Sequence, residues 1–371
     1  MLAVKITGIL SLLIYIGYLL YGYFGFKKTK TFVPDLTAKN KTKTNIIICA
    51  LNEEKTIGRC LTSIFEQDFD SDLLEIVFVN DGSTDHTLQI ATDLLKNSGK
   101  SYSVINNAQR LGKKDGITMA MEMCSGELII IRDADTYTTS KNWLKTIVSN
   151  YEDTQKEFII CPLEIESRNG LLNQLQFLEN NALAIITGGF SFYKKAFLCN
   201  GANLAFTKTL FRKVNGYKSH EEIHSGDDVL FLEDVKKFNP DAVSYLKQAS
   251  ASVTTYPVQG FKKLMGQKVR WASKFDKNPN QTNAFLGLIV CLTHLFGLFY
   301  LIKPLFVHHI PLFGIIFICM RFFIDFLLLF LASRYFNKPL KLYWLLPVAL
   351  FYSFYVIVTA LLSVVVKPNR K

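Results

Sequence analysis

The chain of 371 residues lacks the cysteine pattern of a stapled or zinc-bound protein. Its seven cysteines, at positions 49, 60, 124, 161, 199, 291 and 319, form no C-x-x-C pair and have no histidine at zinc spacing. They read as small reduced core residues of a cytoplasmic protein. Internal repeats and low-complexity tracts are missing, which excludes repeat arrays and biased, unfolded segments. No recognised nucleic-acid module accompanies the net charge of +11, so nucleic acid is not the expected partner. Acidic residues are the scarcer sign, 31 against 42 basic, and a domain held against an anionic leaflet explains that surplus. From Ile6 to Phe26 charge is absent altogether. About 20 such residues cross a bilayer as a helix. The run is too long for the apolar core of a signal peptide and no A-x-A-like site follows it, so an uncleaved anchor is expected.

What is present is apolar and unevenly spread. Hydrophobic residues make up 49% and aromatics 13% of the chain, enough for one sizeable α/β domain and more. The surplus lies at the two ends, where Phe285 to Ile302, Ile310 to Leu331 and Tyr343 to Val366 add three candidate spans. Lys27, Lys28 and Lys30 directly follow the first span and place what comes next in the cytoplasm. Arg334, Lys338 and Lys341 agree with four crossings, whereas Lys367, Arg370 and Lys371 do not, which leaves open a re-entrant or interfacial segment near the C-terminus. The expected plan is an anchor (1–26), a basic linker (27–44), a cytoplasmic domain (45–256), an amphipathic interfacial segment (257–280) and three transmembrane segments (281–371). Arg321 and Asp325, four apart in a span, form either a functional or a structural ion pair.

Between the spans, strands and helices alternate. NIIICA (45–50), EIVFV (75–79), a strand near Ser103 to Ile105 and LIII (128–131) read as buried strands, each leading to a helix. Such alternation implies right-handed crossovers, a parallel sheet and a nucleotide-binding α/β half domain. Ligands of such sheets bind at the C-terminal strand edge. Three strands deliver polar groups there: Asn52, Glu53 and Glu54; Asn80 and Asp81; Asp133 and Asp135. Two carboxylates two residues apart share a hard divalent cation, which in turn holds a diphosphate. Standing alone, the same pair would simply solvate a strand end. Asp81 is placed to accept from a ribose or base N–H, while Ser83 or Thr84 would cap the next helix. Lys113 or Lys114 would meet phosphate or base oxygens. A helix is expected from Asn169 to Ile186 and a loop from Phe197 to Asn203. Cys199 reads as packing, and His220 and His224 as solvent-facing residues of a polar loop.

ALNEE, VNDGSTD, GKKDG, RDADT, GANLAF, SGDD and QKVRW occur in that order over about residues 45 to 275. The ordered set resembles the family 2 glycosyltransferases, in particular the membrane-bound branch that includes hyaluronan, chitin and cellulose synthases and ceramide glucosyltransferases. Two positions depart: Cys49 stands where the family usually has proline, and Asn80 replaces the first of two acids, with Asp81 kept. The resemblance implies a GT-A type nucleotide-binding domain with a mostly parallel central sheet, flanked by transmembrane helices. It also implies a UDP-sugar donor and Mg²⁺ or Mn²⁺. By the same resemblance Asp81 contacts uridine, Asn52 and Glu53 lie near base and ribose, and Lys113 lies near the uracil or the diphosphate. Asp133 and Asp135 hold nucleotide and metal, Asp135 the direct ligand. Asp228 is the catalytic base with Asp227 in support; Gln267 and Arg270 face the diphosphate, and Trp271 stacks on the acceptor. An inverting transfer needs these types: a carboxylate opposite the leaving group takes the acceptor proton, and cations meet the charge on the departing diphosphate.

The expected acceptor is a lipid hydroxyl at the plasma or inner membrane, since four spans offer little wall for a channel. The alternative is a processive polysaccharide synthase that exports a growing glycan. A catalytically dead anchor is disfavoured by the complete acid set.

Overall fold

The computed structural model describes residues 2–220, 227–272, 281–306 and 312–365. Along the chain run α1 (Leu2–Lys28), β1 (Thr44–Ala50), α2 (Ile57–Phe65), β2 (Leu74–Asp81), α3 (Thr87–Lys96), β3 (Ser101–Asn107), α4 (Lys113–Met123) and β4 (Leu128–Asp133). Next come β5 (Thr136–Tyr137), α5 (Trp143–Thr154), β6 (Phe158–Ile160), β7 (Leu163–Ile165), α6 (Leu171–Phe192), β8 (Asn203–Thr207), α7 (Lys208–Lys213) and α8 (Asp227–Phe238). β9 (Val243–Tyr245), β10 (Val253–Thr255), α9 (Phe261–Ala272), α10 (Gln281–Ile302), α11 (Leu312–Phe336) and α12 (Leu342–Val365) complete the described chain. Two units divide it: residues 28–166 with 190–256, and residues 1–27 with 167–189 and 257–371.

In the first unit, Ile46, Ile47 and Ile48 of β1 are all fully buried, which a strand achieves only with both faces covered. Each side chain so buried contributes about 1.5–3 kcal/mol. A seven-stranded sheet surrounds them in the order β3-β2-β1-β4-β8-β6-β9. β1 pairs in parallel with β2 and β4, β2 with β3, and β6 with β9; β8 is antiparallel to both its neighbours. The sheet is mostly parallel, as expected. Register brings Ala50 opposite Asn80, Asp81 opposite Asn107 and Cys49 opposite Asp133. β1, β2 and β4 therefore finish at one edge. The chain winds outward from β1 through β2 to β3 and returns to the other side at β4, so this edge is a topological switch point. A second sheet, β5-β10-β7, pairs Thr136 with Thr255 beside the end of β4.

The second unit holds four helices long and apolar enough to cross a membrane: Ala3–Lys28, Ala284–Ile302, Leu312–Phe336 and Leu342–Ser363. Five of its polar residues pair in one cluster. Tyr15 on α1 donates to Asp325 on α11 at 2.6 Å, and Arg321 Nε lies 3.5 Å from the same carboxylate. Arg321 Nη1 donates to Ser353 Oγ on α12 at 2.8 Å, and that hydroxyl lies 3.1 Å from His294 Nδ1 on α10. The Arg321 and Asp325 pair expected from spacing is thus one link in a cluster drawn from four helices. Gly189 of α6 admits no Cβ because the Gly22 backbone of α1 occupies that space. Leu264 and Met265 of α9 bury against Leu175 and Leu178 of α6 and Val348 and Tyr355 of α12, while Phe261 and Trp271 stay exposed. Residues 273–280 of the expected interfacial segment, and the basic residues Lys367, Arg370 and Lys371, lie outside the described residues.

Gly82 shows how tightly the edge loops pack. Its φ is +75°, and a Cβ would lie 2.7 Å from Arg110 N. Gly82→Ala should cost about 1–3 kcal/mol, the range for forced overpacking, and lower the melting temperature in a thermal melt. Gly99→Ala, with φ +66° but open space around it, should melt higher than Gly82→Ala.

Candidate active site

The loop after β1 is stitched to the loop after β2. Asn52 adopts a left-handed φ of +57°, which asparagine tolerates. Its side-chain oxygen accepts from Thr84 N at 2.9 Å, and its own N–H donates to Ser83 Oγ at 3.1 Å. Glu53 N donates to Thr87 Oγ1 at 2.7 Å. Ser83 and Thr84 do not cap α3, contrary to expectation, because Asn52 takes them up. The residue preceding the helix is His86, and Asp85 Oδ1 accepts from Thr87 N at 3.0 Å instead. Asn80, where an acid was expected, donates its amide to Asn106 at 2.8 Å, a bond no carboxylate could donate.

Asp81 ends β2, nearly buried, with both oxygens turned to the loop before α4: Oδ1 accepts from Leu111 N at 2.8 Å and Oδ2 from Gly112 N at 3.0 Å. The next residue is Lys113, whose Nζ pairs with Asp133 Oδ1 and donates to Gly201 O at 3.2 Å. Burial works against its charge, but the Asp133 carboxylate outweighs that and raises the Lys113 pKa. Lys114 takes no part, since its ammonium is buried and donates to His220 O. Asp228, at the N-terminal end of α8, accepts from Gly201 N at 2.9 Å and Val229 N at 2.9 Å. A point at the missing Cβ of Gly201 lies 3.3 Å from Lys113 Nζ and 3.6 Å from Asp228 Oδ2. Asp81, Lys113, Asp133 and Asp228 are thereby linked along one edge.

Carboxylates crowd there. Burial, then the charges of Asp133 and Glu53, push the Asp135 carboxyl up to about 7. Burial, with the charges of Asp133 and Asp85, raises Glu53, opposed by its bond from the Thr56 hydroxyl at 2.6 Å. Among the described residues no three His, Cys, Asp or Glu side chains form a metal cage. Two carboxylates with a substrate's phosphate oxygens are, however, the usual complement for Mg²⁺, and an all-oxygen set suits a hard cation. Asp133 and Asp135 fit that role, since a cation between them would relieve the repulsion.

Residues 45–214 match the family model described as glycosyl transferase family 2. Over these residues the chain is similar to the family 2 glycosyltransferases. Over 220 residues it is 28% identical to the dolichyl N-acetyl-alpha-D-glucosaminyl phosphate 3-beta-D-2,3-diacetamido-2,3-dideoxy-beta-D-glucuronosyltransferase of Methanococcus voltae, covering 54% of this chain and 65% of that one. Over 194 residues it is 23% identical to the poly-beta-1,6-N-acetyl-D-glucosamine synthase of Staphylococcus epidermidis, covering 47% and 46%. The matched region is less than two thirds of either relative's length. Among solved structures, the mannosyltransferase PcManGT of Pyrobaculum calidifontis, in complex with GDP-Man and Mn²⁺, aligns over 97% of this chain and 99% of that chain with a TM-score of 0.58 at 16% identity. At that identity the likeness is one of fold, and the fold is the GT-A type.

Just beyond the matched residues, His220 is buried rather than solvent-facing, because its ring packs against Tyr217 and sits 3.3 Å from Asp234 Oδ2 on α8. Burial lowers its pKa against the pull of Asp234. His224 lies outside the described residues, as does the Asp227 side chain. Gln267, Arg270 and Trp271 lie on α9 in the other unit; Lys268 between them pairs with Glu179 of α6 and lies 4.5 Å above the Trp271 ring. Sequence reasoning did not single out three supports of the family 2 site. Arg132, fully buried beneath Asp133, donates to Ser63 Oγ at 2.7 Å and Thr136 Oγ1 at 3.3 Å. Thr255 Oγ1 lies 3.4 Å from Asp135 Oδ2. Gly201 joins Lys113 to Asp228 through its backbone. Only the GANLAF motif hinted at the last; the other two rest on partners no local pattern reveals.

The crowding has a sign. An unfolded aspartate titrates near 4, so between about pH 4 and about pH 7 the folded chain holds an extra proton at Asp135, and stability falls as pH rises. EDTA-treated wild type should lose melting temperature more steeply than Asp135→Asn across that window. Equal slopes would remove the crowding.

Proposed function

We propose that the chain is a membrane-bound inverting glycosyltransferase that moves a sugar from a UDP-sugar to a lipid hydroxyl, its catalytic domain on the cytoplasmic face. The observation that carries this is the linked set of Asp81, Lys113, Asp133 and Asp228 at the switch-point edge of the sheet. Asp228 takes the proton of the acceptor hydroxyl as its oxygen bonds to C1 of the sugar and the bond from C1 to the diphosphate breaks. The N–H groups of Gly201 and Val229 fix that carboxylate. Asp81 anchors the loop from which Lys113 projects, and Lys113 supplies positive charge for the leaving diphosphate. Asp133 and Asp135 would hold a divalent cation, which when bound neutralises phosphate charge; the Mn²⁺ of the PcManGT complex supports this reading. On the resemblance alone, Gln267 and Arg270 are assigned to the diphosphate and Trp271 to the acceptor.

Two observations favour a lipid acceptor. The Methanococcus relative is named for transfer to a dolichyl-linked sugar phosphate. Five polar residues of the four apolar helices pair with one another, from Tyr15 through Asp325 and Arg321 to Ser353 and His294, rather than facing a wet passage. The processive reading draws on the Staphylococcus synthase and on Q-x-x-R-W. Lys28 and Lys30 after α1 support the cytoplasmic orientation.

Asp228→Asn should abolish transfer of label from a radiolabelled UDP-sugar while leaving UDP affinity within about twofold by calorimetry; surviving transfer would remove the base assignment. EDTA should stop transfer and Mg²⁺ or Mn²⁺ restore it. Membranes given several labelled UDP-sugars should place label in the organic phase, whereas label in a high-mass polymer would establish the processive alternative.

A further inference from the structure

A cavity of about 210 Å³ lies in the sheet unit against β9, the end strand of the seven-stranded sheet. Ser244 of β9, Ser191 near the end of α6, Thr29 of the linker, Lys156, Lys194 and Asp241 line it. Ser191 is 7% exposed and its hydroxyl has no partner; the buried Ser244 hydroxyl also lacks one. Buried hydroxyls ordinarily find partners, so this wall is short of acceptor oxygens. Its charge is also uneven. Lys194 pairs with the Asp241 carboxylate, whereas Lys156 donates to the Asp241 carbonyl at 2.6 Å, leaving two ammonium groups to one carboxylate. A phosphate group supplies both the oxygens and the negative charge. A neutral sugar would supply only the first.

Chain connectivity says where that phosphate comes from. Thr29 directly follows Lys28, the last residue of α1, a helix long and apolar enough to span a membrane. Thr29 O accepts from Lys247 Nζ at 2.8 Å, Phe32 N donates to Lys247 O at 3.1 Å, and Phe32 O accepts from Gln248 Nε2 at 2.7 Å. The linker is thereby fastened just beyond β9, and one wall of the cavity is a single residue from the end of the membrane helix. Lys28 and Lys30, on either side of Thr29 in the chain, are exposed, and lysines at the end of a membrane helix attract anionic lipids. We infer that this cavity binds the phosphate of an anionic lipid headgroup through Ser191, Ser244 and Lys156. It lies apart from the linked acids and does not depend on the proposed transfer reaction.

The test uses the full chain in phosphatidylcholine nanodiscs, without and with phosphatidylglycerol, read by melting temperature and by the phosphatidylglycerol retained in native mass spectrometry. Phosphatidylglycerol should raise the melting temperature of wild type, and the rise should be lost in the Lys156→Gln, Lys194→Gln double variant. Ser191→Ala, a milder change, should retain less of the lipid; each variant's melt in phosphatidylcholine alone is the folding control. Inorganic phosphate added to phosphatidylcholine discs separates the sources. A rise with phosphate but not with the lipid would assign a free anion and overturn the lipid, as would variants that respond like wild type or a wild type that responds to neither.

Discussion

Like charges held together at a half-buried strand end are the constraint on which the catalytic unit turns. Asp133 and Glu53 stand near Asp135 at the edge of the sheet, and with burial their charges disfavour its ionised form; burial and Asp133 do the same to Glu53. The folded chain tolerates this because the sheet leaves it no choice. β1 and β4 are locked in register, and one residue of slip would send Ile129 and Ile131 to the opposite face. Beneath the acids, Arg132 fastens the turn from Asp133 to Thr136 to α2, and its guanidinium lies 4.7 Å above the Trp143 ring. Lys113 offsets part of the repulsion. What remains is a site whose negative charge is best met by something other than protein.

The helices of the other unit solve the opposite problem. Charged groups in an apolar surround are expensive unless they meet partners, and here they do. Asp325 receives the Tyr15 hydroxyl and lies beside Arg321, and Arg321 reaches Ser353, which meets His294. Apart from the Arg321–Asp325 contact within α11, each bond joins a different pair of helices, so the cluster also specifies how they assemble. In one unit these five polar residues occupy one another, while in the other the acids at the sheet edge crowd together. The helices are long and apolar enough to cross a membrane, and the crowded acids lie in the sheet unit.

Much of the catalytic unit was legible because its signals are local. Isoleucine and valine runs ending in acids identify β1, β2 and β4 and the edge they share, since a strand buried on both faces must be continuously apolar. The apolar helices were equally plain. His220 was misjudged because polarity of the surrounding sequence says nothing of what packs on it from α8, and Ser83 and Thr84 because Asn52, some thirty residues away, competes for the cap.

By itself the sequence determined which residue types stand at the strand ends, and hence an α/β unit of the nucleotide-binding kind, with helices long and apolar enough to cross a membrane. Periodicity and composition act over a few residues, and that is the range over which such patterns can be read. Only the tertiary structure decided that Gly201 bridges Lys113 and Asp228, that Thr255 approaches Asp135, and that Lys114 is buried in the fold while Lys113 remains at the acids. Those choices join residues about 25 to 120 apart in the chain. They depend on sheet register and crossover packing, which no local pattern encodes.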